Sequence, residues 1–177
     1  AEIASLPIQQ QRKAMWARMN SLQETKPMVW MCDICWNEME VEHELTLQTS
    51  SEFCQRMEAE LRATLYRWKH MPCDMVVEPI IYSPLVFNNS GFGITVQEDI
   101  LQTDKDNAVV SHHFHIQIRT EEDIEKIQMP RIAYNAKKSA EMYQAYGDIF
   151  DRILAVEKRG VPGFWFALWD HIVTWTG

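Results

Sequence analysis

The sequence predicts an α/β fold, because helical and strand-like patterns alternate along its 177 residues. Residues 8–22 place apolar side chains on one helical stripe, and a second helix begins at Ser50 or Ser51, with apolar residues every four positions from Phe53. Residues 75–82, MVVEPIIY, are apolar on both faces, as in a buried parallel strand. Strands separated by helices favour βαβ units.

The other elements follow from similar patterns. They are a short strand at 28–31, an antiparallel hairpin within 94–118 around the turn 103–107, a capping-box helix from Thr120, a helix carrying Met142 to Ile153, a strand at 154–157 and an aromatic helix at about 165–175. We expect one domain over residues 1–177, with residues 1–26 as a helical extension.

Composition limits the classes of function. With 46% hydrophobic and 24% charged residues the chain is typical of globular proteins, and no run approaches the ~18 apolar residues of a membrane helix. A net charge of −8 argues against nucleic-acid or anionic-membrane binding. Four cysteines are too few for a disulfide scaffold. We therefore expect a cytoplasmic protein with a small-molecule or protein partner.

The stretch MVWMCDICWNE, residues 28–38, contains a C-x-x-C pair, Cys32 and Cys35. On an extended chain, side chains three apart point to opposite faces, so the two sulfurs cannot share a metal or a disulfide without a turn. A zinc site would need further ligands at zinc spacing, and Asp33 would raise rather than lower a thiol pKa. This favours structural cysteines, with a redox dithiol and a metal site as the alternatives.

Several side chains are candidates for chemistry. Asp33, Trp36, Asn37 and Glu38 follow a predicted strand, where α/β folds bind ligands, although a solvated loop with one packed Trp fits equally well. Glu78 inside its apolar strand is a candidate general acid or base, with a paired structural Glu as the alternative.

A histidine pair and an aromatic segment are two further candidates. His113 and His115 share one strand face and are candidate metal ligands, although an outward-facing polar pair explains them equally well. Trp165 and Trp169 share one helical face, which favours a core or subunit interface.

Three short segments carry a resemblance to a known family. They are IIYSPLV at 80–86 followed by Gly93, RTEEDIEKIQMP at 119–130, and GVPGFW at 160–165. Their order and spacing resemble the uroporphyrinogen decarboxylase superfamily over about residues 26–170. That superfamily is a (β/α)8 TIM barrel and includes the haem-pathway decarboxylase and methyltransferases that exchange methyl groups with a corrinoid protein.

The resemblance implies a partial barrel. A whole barrel needs about 250 residues, so this chain would supply roughly the first three βα units, with an inserted antiparallel hairpin. Both chain ends also suggest a piece of a longer protein. We expect a half-barrel to form homo-oligomers or to associate with the missing half, and alone to catalyse nothing.

The implied site departs from the decarboxylase. Pro84 stands where the decarboxylase has a strand carboxylate, and the acidic loop 32–38 replaces an arginine-containing motif. The resemblance therefore implies a methyltransferase-type enzyme, with Glu78 and Tyr82 as catalytic residues. The implied substrate-binding residues are Asp33, Trp36, Asn37, Glu38, Asn88 and Trp165.

The resemblance also implies that the cofactors are not bound by this chain. The family's zinc ligands lie in the other barrel half, so zinc and a corrinoid are expected only in the full-length protein, and none in this chain. The alternative function is a non-catalytic binding or assembly module that dimerises through its aromatic C-terminal helix, with Trp165, Trp169 and Trp175 at the interface.

Overall fold

A computed structural model describes residues 1–39, 42–103, 110–161, 163 and 167–177. The fold is mixed α/β, with five helices and three two-stranded sheets among these residues and no closed barrel. The chain divides into two compact units, Ala1–Pro79 and Ile80–Gly177. No helix in the described ranges combines the length and apolar character needed to cross a membrane.

The first unit is helical. It contains α1 (Glu2–Ser5), α2 (Pro7–Asn20), a 3-10 helix (Trp36–Glu38) and α3 (Glu52–His70). Pro7 starts α2, where a missing N–H costs nothing, and the Ser51 hydroxyl accepts the Cys54 N–H at 3.2 Å to cap α3. Both helices were predicted at these positions, and both predictions are confirmed.

The strand predicted at 28–31 is wrong, and the strand predicted at 75–82 is confirmed only in its last three residues. Residues 28–31 form no strand. Both backbone groups of Val29 bond to one residue, Asp74, and not to a neighbouring strand: the Val29 N–H donates to the Asp74 carboxylate at 3.0 Å, and the Val29 carbonyl accepts the Asp74 N–H at 2.8 Å. The strand predicted from residue 75 begins only at Ile80. The backbone just before Ile80 is hydrogen-bonded by side chains of α2: Gln9 accepts the Val77 N–H at 2.9 Å, and Arg12 donates to the Met75 carbonyl at 3.1 Å.

Glu58 ties the start of α3 to the segment before it. Its carboxylate accepts the backbone N–H groups of Gln48 and Thr49, each at 2.9 Å, and the Arg62 guanidinium at 2.8 Å. The Thr49 N–H is the main cause that lowers the Glu58 pKa from 4.5 to about 2. This carboxylate is therefore more stable as an anion in the folded chain than in the unfolded one.

The low Glu58 pKa predicts a pH-dependent stability. A depressed folded-state pKa stabilises the fold above the unfolded value of 4.5, and this contribution disappears as the pH falls through about 2. Glu58→Gln should therefore lower the free energy of unfolding near neutral pH, and the difference from wild type should shrink on acidification. Urea denaturation across this range measures it, with Glu60→Gln, exposed on the same helix, as control. A difference that is constant with pH would contradict the assignment.

Its described residues give the second unit six strands and two α-helices, besides a 3-10 helix. They are β1 (Ile80–Pro84), β2 (Phe87–Asn89), β3 (Glu98–Leu101), β4 (Ser111–Phe114), β5 (Ile132–Tyr134), α4 (Ala136–Phe150), β6 (Ala155–Arg159) and α5 (Leu168–Thr176). β1 pairs with β6 in parallel, whereas β2 with β5 and β3 with β4 are antiparallel. The predicted hairpin is confirmed as β3 and β4.

Local signals place the remaining elements with small differences. The Thr120–Asp123 capping box is present, but it begins a 3-10 helix, Glu121–Lys126, with no α-helical turn. α4 ends at Phe150, ahead of Ile153, because Asp151 leaves the helical conformation with a ψ of 130° and Arg152 follows with a positive φ of 61°. The strand predicted at 154–157 is β6, which extends to Arg159. The C-terminal helix is described from Leu168.

The core of the second unit lies between α4 and the β1–β6 pair. α4 packs against both strands and buries Tyr146 and Phe150, while β1 buries Ile81 and Ser83 on the same side. The buried Ser139 hydroxyl accepts the Val86 N–H at 2.9 Å, which fixes the chain as it leaves β1. One face of the parallel pair is thereby covered by a helix.

Candidate functional site

The other face of the β1–β6 pair carries polar side chains. Alternate residues of a strand point to opposite faces, so Tyr82 faces away from the buried Ile81 and Ser83. In the parallel register Tyr82 is paired with Glu157 and Pro84 with Arg159. Glu157 and Arg159 are exposed and Tyr82 is partly exposed. A phenol, a carboxylate and a guanidinium therefore share this open face.

Arg159 and Tyr82 contact each other at the carboxyl end of the pair. The Arg159 guanidinium carbon lies 4.6 Å from the centroid of the Tyr82 ring, within the range of a cation–π interaction. The Arg159 carbonyl accepts the Leu85 N–H at 2.8 Å and so extends the pairing past β1. The carboxyl ends of parallel strands are where open α/β sheets bind ligands.

The sequence analysis identified Tyr82 at this position but missed Glu157 and Arg159. The signal was available, because the strand predicted at 154–157 needed only two more residues to include Arg159. Asn88 lies in β2, which belongs to a different sheet, and its side-chain oxygen accepts the Asn135 amide at 3.5 Å. Trp165 lies outside the described residues.

The loop at residues 32–38 belongs to the first unit. Asp33, Asn37 and Glu38 are exposed, whereas Trp36 is partly buried, with its ring edge-on to Tyr66 at 6.0 Å. The Arg67 guanidinium carbon lies 4.9 Å from the Trp36 ring centroid. The structure thus shows accessible carboxylates next to one packed tryptophan, the geometry common to both interpretations of the loop.

The C-x-x-C cysteines carry free thiols. Cys32 and Cys35 are both exposed, Cys54 is partly exposed and Cys73 is buried. No disulfide joins these four cysteines, all of which lie in the described part of the chain. No group of three His, Cys, Asp or Glu side chains within the described ranges is placed to hold a metal ion.

Glu78 requires a correction. It was predicted inside a buried strand, but β1 begins only after Pro79, which has no N–H to donate to a strand neighbour. The Glu78 side chain is 37% exposed and accepts a hydrogen bond from the Lys13 ammonium at 2.6 Å. It lines an open groove of about 640 Å³ in the first unit, together with Trp16 and Trp30.

Histidines in β4 and directly after it contact carboxylates of β3. His115 Nε2 lies 2.8 Å from an Asp99 carboxylate oxygen, and His112 Nδ1 lies 2.9 Å from Glu98. The His115 hydrogen bond is the main cause that lowers the Asp99 pKa. The rings of His113 and His115 are 6.0 Å apart at 62°. Asp99, which is paired with His113 across the hairpin, is the carboxylate that sequence spacing alone did not reveal.

Comparison with known proteins finds no match for this chain among family models, curated proteins or solved structures.

Proposed function

We propose that this chain forms the N-terminal part of a uroporphyrinogen decarboxylase-like (β/α)8 barrel whose complete enzyme performs corrinoid-linked methyl transfer. The observation that carries the proposal is the parallel β1–β6 pair. It is covered by α4 on one face and bears Tyr82, Glu157 and Arg159 on the other. In a barrel of this class each strand has one face toward a helix and one toward the barrel interior.

The strand edges support the barrel. Among the described residues β1 pairs only with β6, so each of the two strands has one edge without a strand partner. Such edges are completed by further strands in a closed barrel. The β3–β4 hairpin lies between β1 and α4 in the chain and is, in this proposal, the inserted antiparallel hairpin.

The open face supplies three complementary groups for a polar substrate. The Arg159 guanidinium is a fixed positive charge with several N–H donors, the Tyr82 hydroxyl donates and accepts, and the Glu157 carboxylate accepts. In this proposal Arg159 orients the substrate and Tyr82 moves or holds a proton beside the reacting atom. The described residues offer no three-ligand set for zinc, so no step is assigned to a metal in this chain.

Methyl transfer by the full-length protein tests the proposal. The assay follows transfer of a methyl group from methylcob(III)alamin to a thiol by absorbance. Arg159→Gln and Tyr82→Phe should each lower kcat/KM by about 10- to 100-fold, the usual cost of losing one charged or proton-transferring group.

Lys158→Gln is the matched control. Lys158 neighbours Arg159 on β6 but points to the helix-covered face, where its ammonium lies 4.9 Å from the Tyr143 ring centroid. Lys158→Gln removes one positive charge from β6, as Arg159→Gln does, and should leave kcat/KM unchanged. An equal loss of kcat/KM in Arg159→Gln and Lys158→Gln would contradict the proposal. So would the absence of methyl transfer by the wild-type protein.

One observation favours the assembly module as a second candidate function. α5 exposes an apolar set that recurs at helical spacing: Leu168, Trp169, Ile172 and Val173. Trp169 is 70% exposed, whereas Trp175 is buried and packs against Phe92 with ring centroids 5.8 Å apart. A full-length protein that is inactive in methyl transfer but self-associates in light scattering would favour this function over the enzyme.

A further inference from the structure

The first unit contains an open groove of about 640 Å³ whose walls come from three parts of the chain. One wall is a stripe of α2, the second is a tryptophan shortly before the C-x-x-C pair, and the third is the segment just before β1. The residues that line it are Lys13, Trp16, Asn20, Trp30, Val76 and Glu78. We call it the tryptophan groove. The three residues from α2 are spaced three and four positions apart, so they share one face of that helix.

Asp74 positions the two indole walls of the groove. The Trp16 indole N–H donates to the Asp74 carbonyl at 2.7 Å. The backbone of Val29, which precedes Trp30, bonds the same residue twice: its N–H donates to the Asp74 carboxylate at 3.0 Å, and its carbonyl accepts the Asp74 N–H at 2.8 Å. One residue therefore positions both tryptophans before any ligand binds, which lowers the entropic cost of binding.

The charges of the groove offset each other. Of the described residues that line it, only Lys13 and Glu78 are charged, and the Glu78 carboxylate accepts the Lys13 ammonium at 2.6 Å. The Arg67 guanidinium carbon lies 5.7 Å from the Trp30 ring centroid, although Arg67 does not line the groove. A cationic ligand against the Trp30 ring would be repelled by Arg67, and an anionic ligand would find the Lys13 ammonium already paired. The groove therefore favours an uncharged ligand.

The surface that the groove offers to such a ligand is mainly aromatic. Trp30 is 47% exposed, and Trp16 is partly buried with its indole N–H already bonded to Asp74, so both residues offer ring surface. Aromatic ligands gain affinity from edge-to-face and offset-stacked contacts beyond the area that they bury. Small-molecule sites combine apolar walls of this kind with a few polar groups in about 300–1,000 Å³. Asn20 supplies an exposed amide as such a polar group.

We propose that the tryptophan groove binds a small, uncharged aromatic molecule that carries a hydroxyl group. The ring of this ligand packs against Trp16 and Trp30, with Val76 as a further apolar contact, and its hydroxyl bonds the Asn20 amide, which can donate and accept. The groove lies wholly in the first unit, whereas the open face of the β1–β6 pair belongs to the second. The proposal therefore does not rest on methyl transfer.

Calorimetric titration of the protein with 2-naphthol and, separately, with decahydro-2-naphthol tests the site. The two probes share a bicyclic skeleton and a hydroxyl group and are uncharged near neutral pH, but only 2-naphthol is aromatic. 2-Naphthol should bind saturably, and decahydro-2-naphthol should bind at least about tenfold more weakly, because it loses the ring–ring contacts with both tryptophans. No binding of 2-naphthol at millimolar concentration, or equal affinity of the two probes, would overturn the proposal.

The indole N–H signals in a proton–nitrogen correlation spectrum locate the binding site in the wild-type protein. The signals of Trp16 and Trp30 should shift along one saturation curve as 2-naphthol is added. The signal of Trp169, which is 70% exposed and lies outside the groove, should not move. The spectrum needs no substitution, so it tests the site whether or not a variant folds. Shifts at Trp169 in place of Trp16 and Trp30 would refute the site.

Trp30→Leu removes one aromatic wall of the groove and should weaken 2-naphthol binding by about tenfold. Trp169→Leu is the matched control, because it makes the same substitution at an exposed tryptophan of the second unit, and it should leave the affinity unchanged. Equal affinities of Trp30→Leu and Trp169→Leu for 2-naphthol would contradict the assignment of the ligand to this groove.

Discussion

Replacing Phe150 by alanine is expected to lower the free energy of unfolding of the second unit by about 3–5 kcal/mol, the largest stability effect we predict for this chain. Phe150 is only 7% exposed and lies at the end of α4, with its ring centroid 6.2 Å from that of Tyr146. The loss combines the transfer free energy of the ring with a cavity that the strands under α4 cannot close.

Ile149→Ala is the matched control for Phe150→Ala. Ile149 precedes Phe150 on the same helix but is 41% exposed, so its truncation removes little buried area and should cost under about 1 kcal/mol. Urea denaturation followed by far-UV circular dichroism measures both variants. Equal losses at the two positions would mean that α4 does not pack on β1 and β6 through Phe150.

The helices could be predicted from the sequence because their signals are local. The Ser51 cap and the Thr120–Asp123 capping box each lie within about one helical turn, and each begins a helical element at the predicted residue. The β3–β4 hairpin is likewise formed by neighbouring segments with a polar turn between them.

The absence of a strand at 28–31 and the late start of β1 have a common physical cause. An apolar run indicates that a segment is buried, but it does not show what satisfies its backbone groups. At Val29 and Val77 the partners are the side chains of Asp74 and Gln9, which lie 45 and 68 residues away in the chain. Such bonds replace a strand neighbour and leave no local pattern.

The candidate site likewise contains one residue that local sequence predicts and two that depend on strand pairing. Tyr82 could be predicted, because it ends an apolar segment with a strand-like composition. Its neighbours Glu157 and Arg159 come from the pairing of β1 with β6, which depends on how α4 returns the chain to the sheet. Asp99 reaches His115 in the same way, through hairpin register and not through sequence spacing. The sequence therefore predicted Tyr82 and His115 as site residues but not the partners that the strand pairing brings to them.

Arg67 provides the second large effect, because it holds the acidic loop through two tryptophans. Its guanidinium carbon lies 5.7 Å from the Trp30 ring centroid and 4.9 Å from that of Trp36, and its Nε is buried without a hydrogen-bond partner in the described ranges. Two aromatic rings therefore contact this partly buried cation. Partly desolvated cation–π contacts contribute about 0.5–2 kcal/mol each.

Arg67→Ala should accordingly lower the free energy of unfolding of the first unit by about 1–3 kcal/mol and speed hydrogen exchange across residues 30–38. Arg67→Lys keeps the charge but loses the flat guanidinium surface, so it should fall between wild type and Arg67→Ala. Arg56→Ala, on the same helix with a side chain 76% exposed, should change neither quantity measurably. Equal hydrogen-exchange rates across residues 30–38 in Arg67→Ala and Arg56→Ala would contradict this prediction. The positions of Asp33 and Glu38 would then depend on contacts other than those of the Arg67 guanidinium, such as hydrogen bonds within the loop backbone.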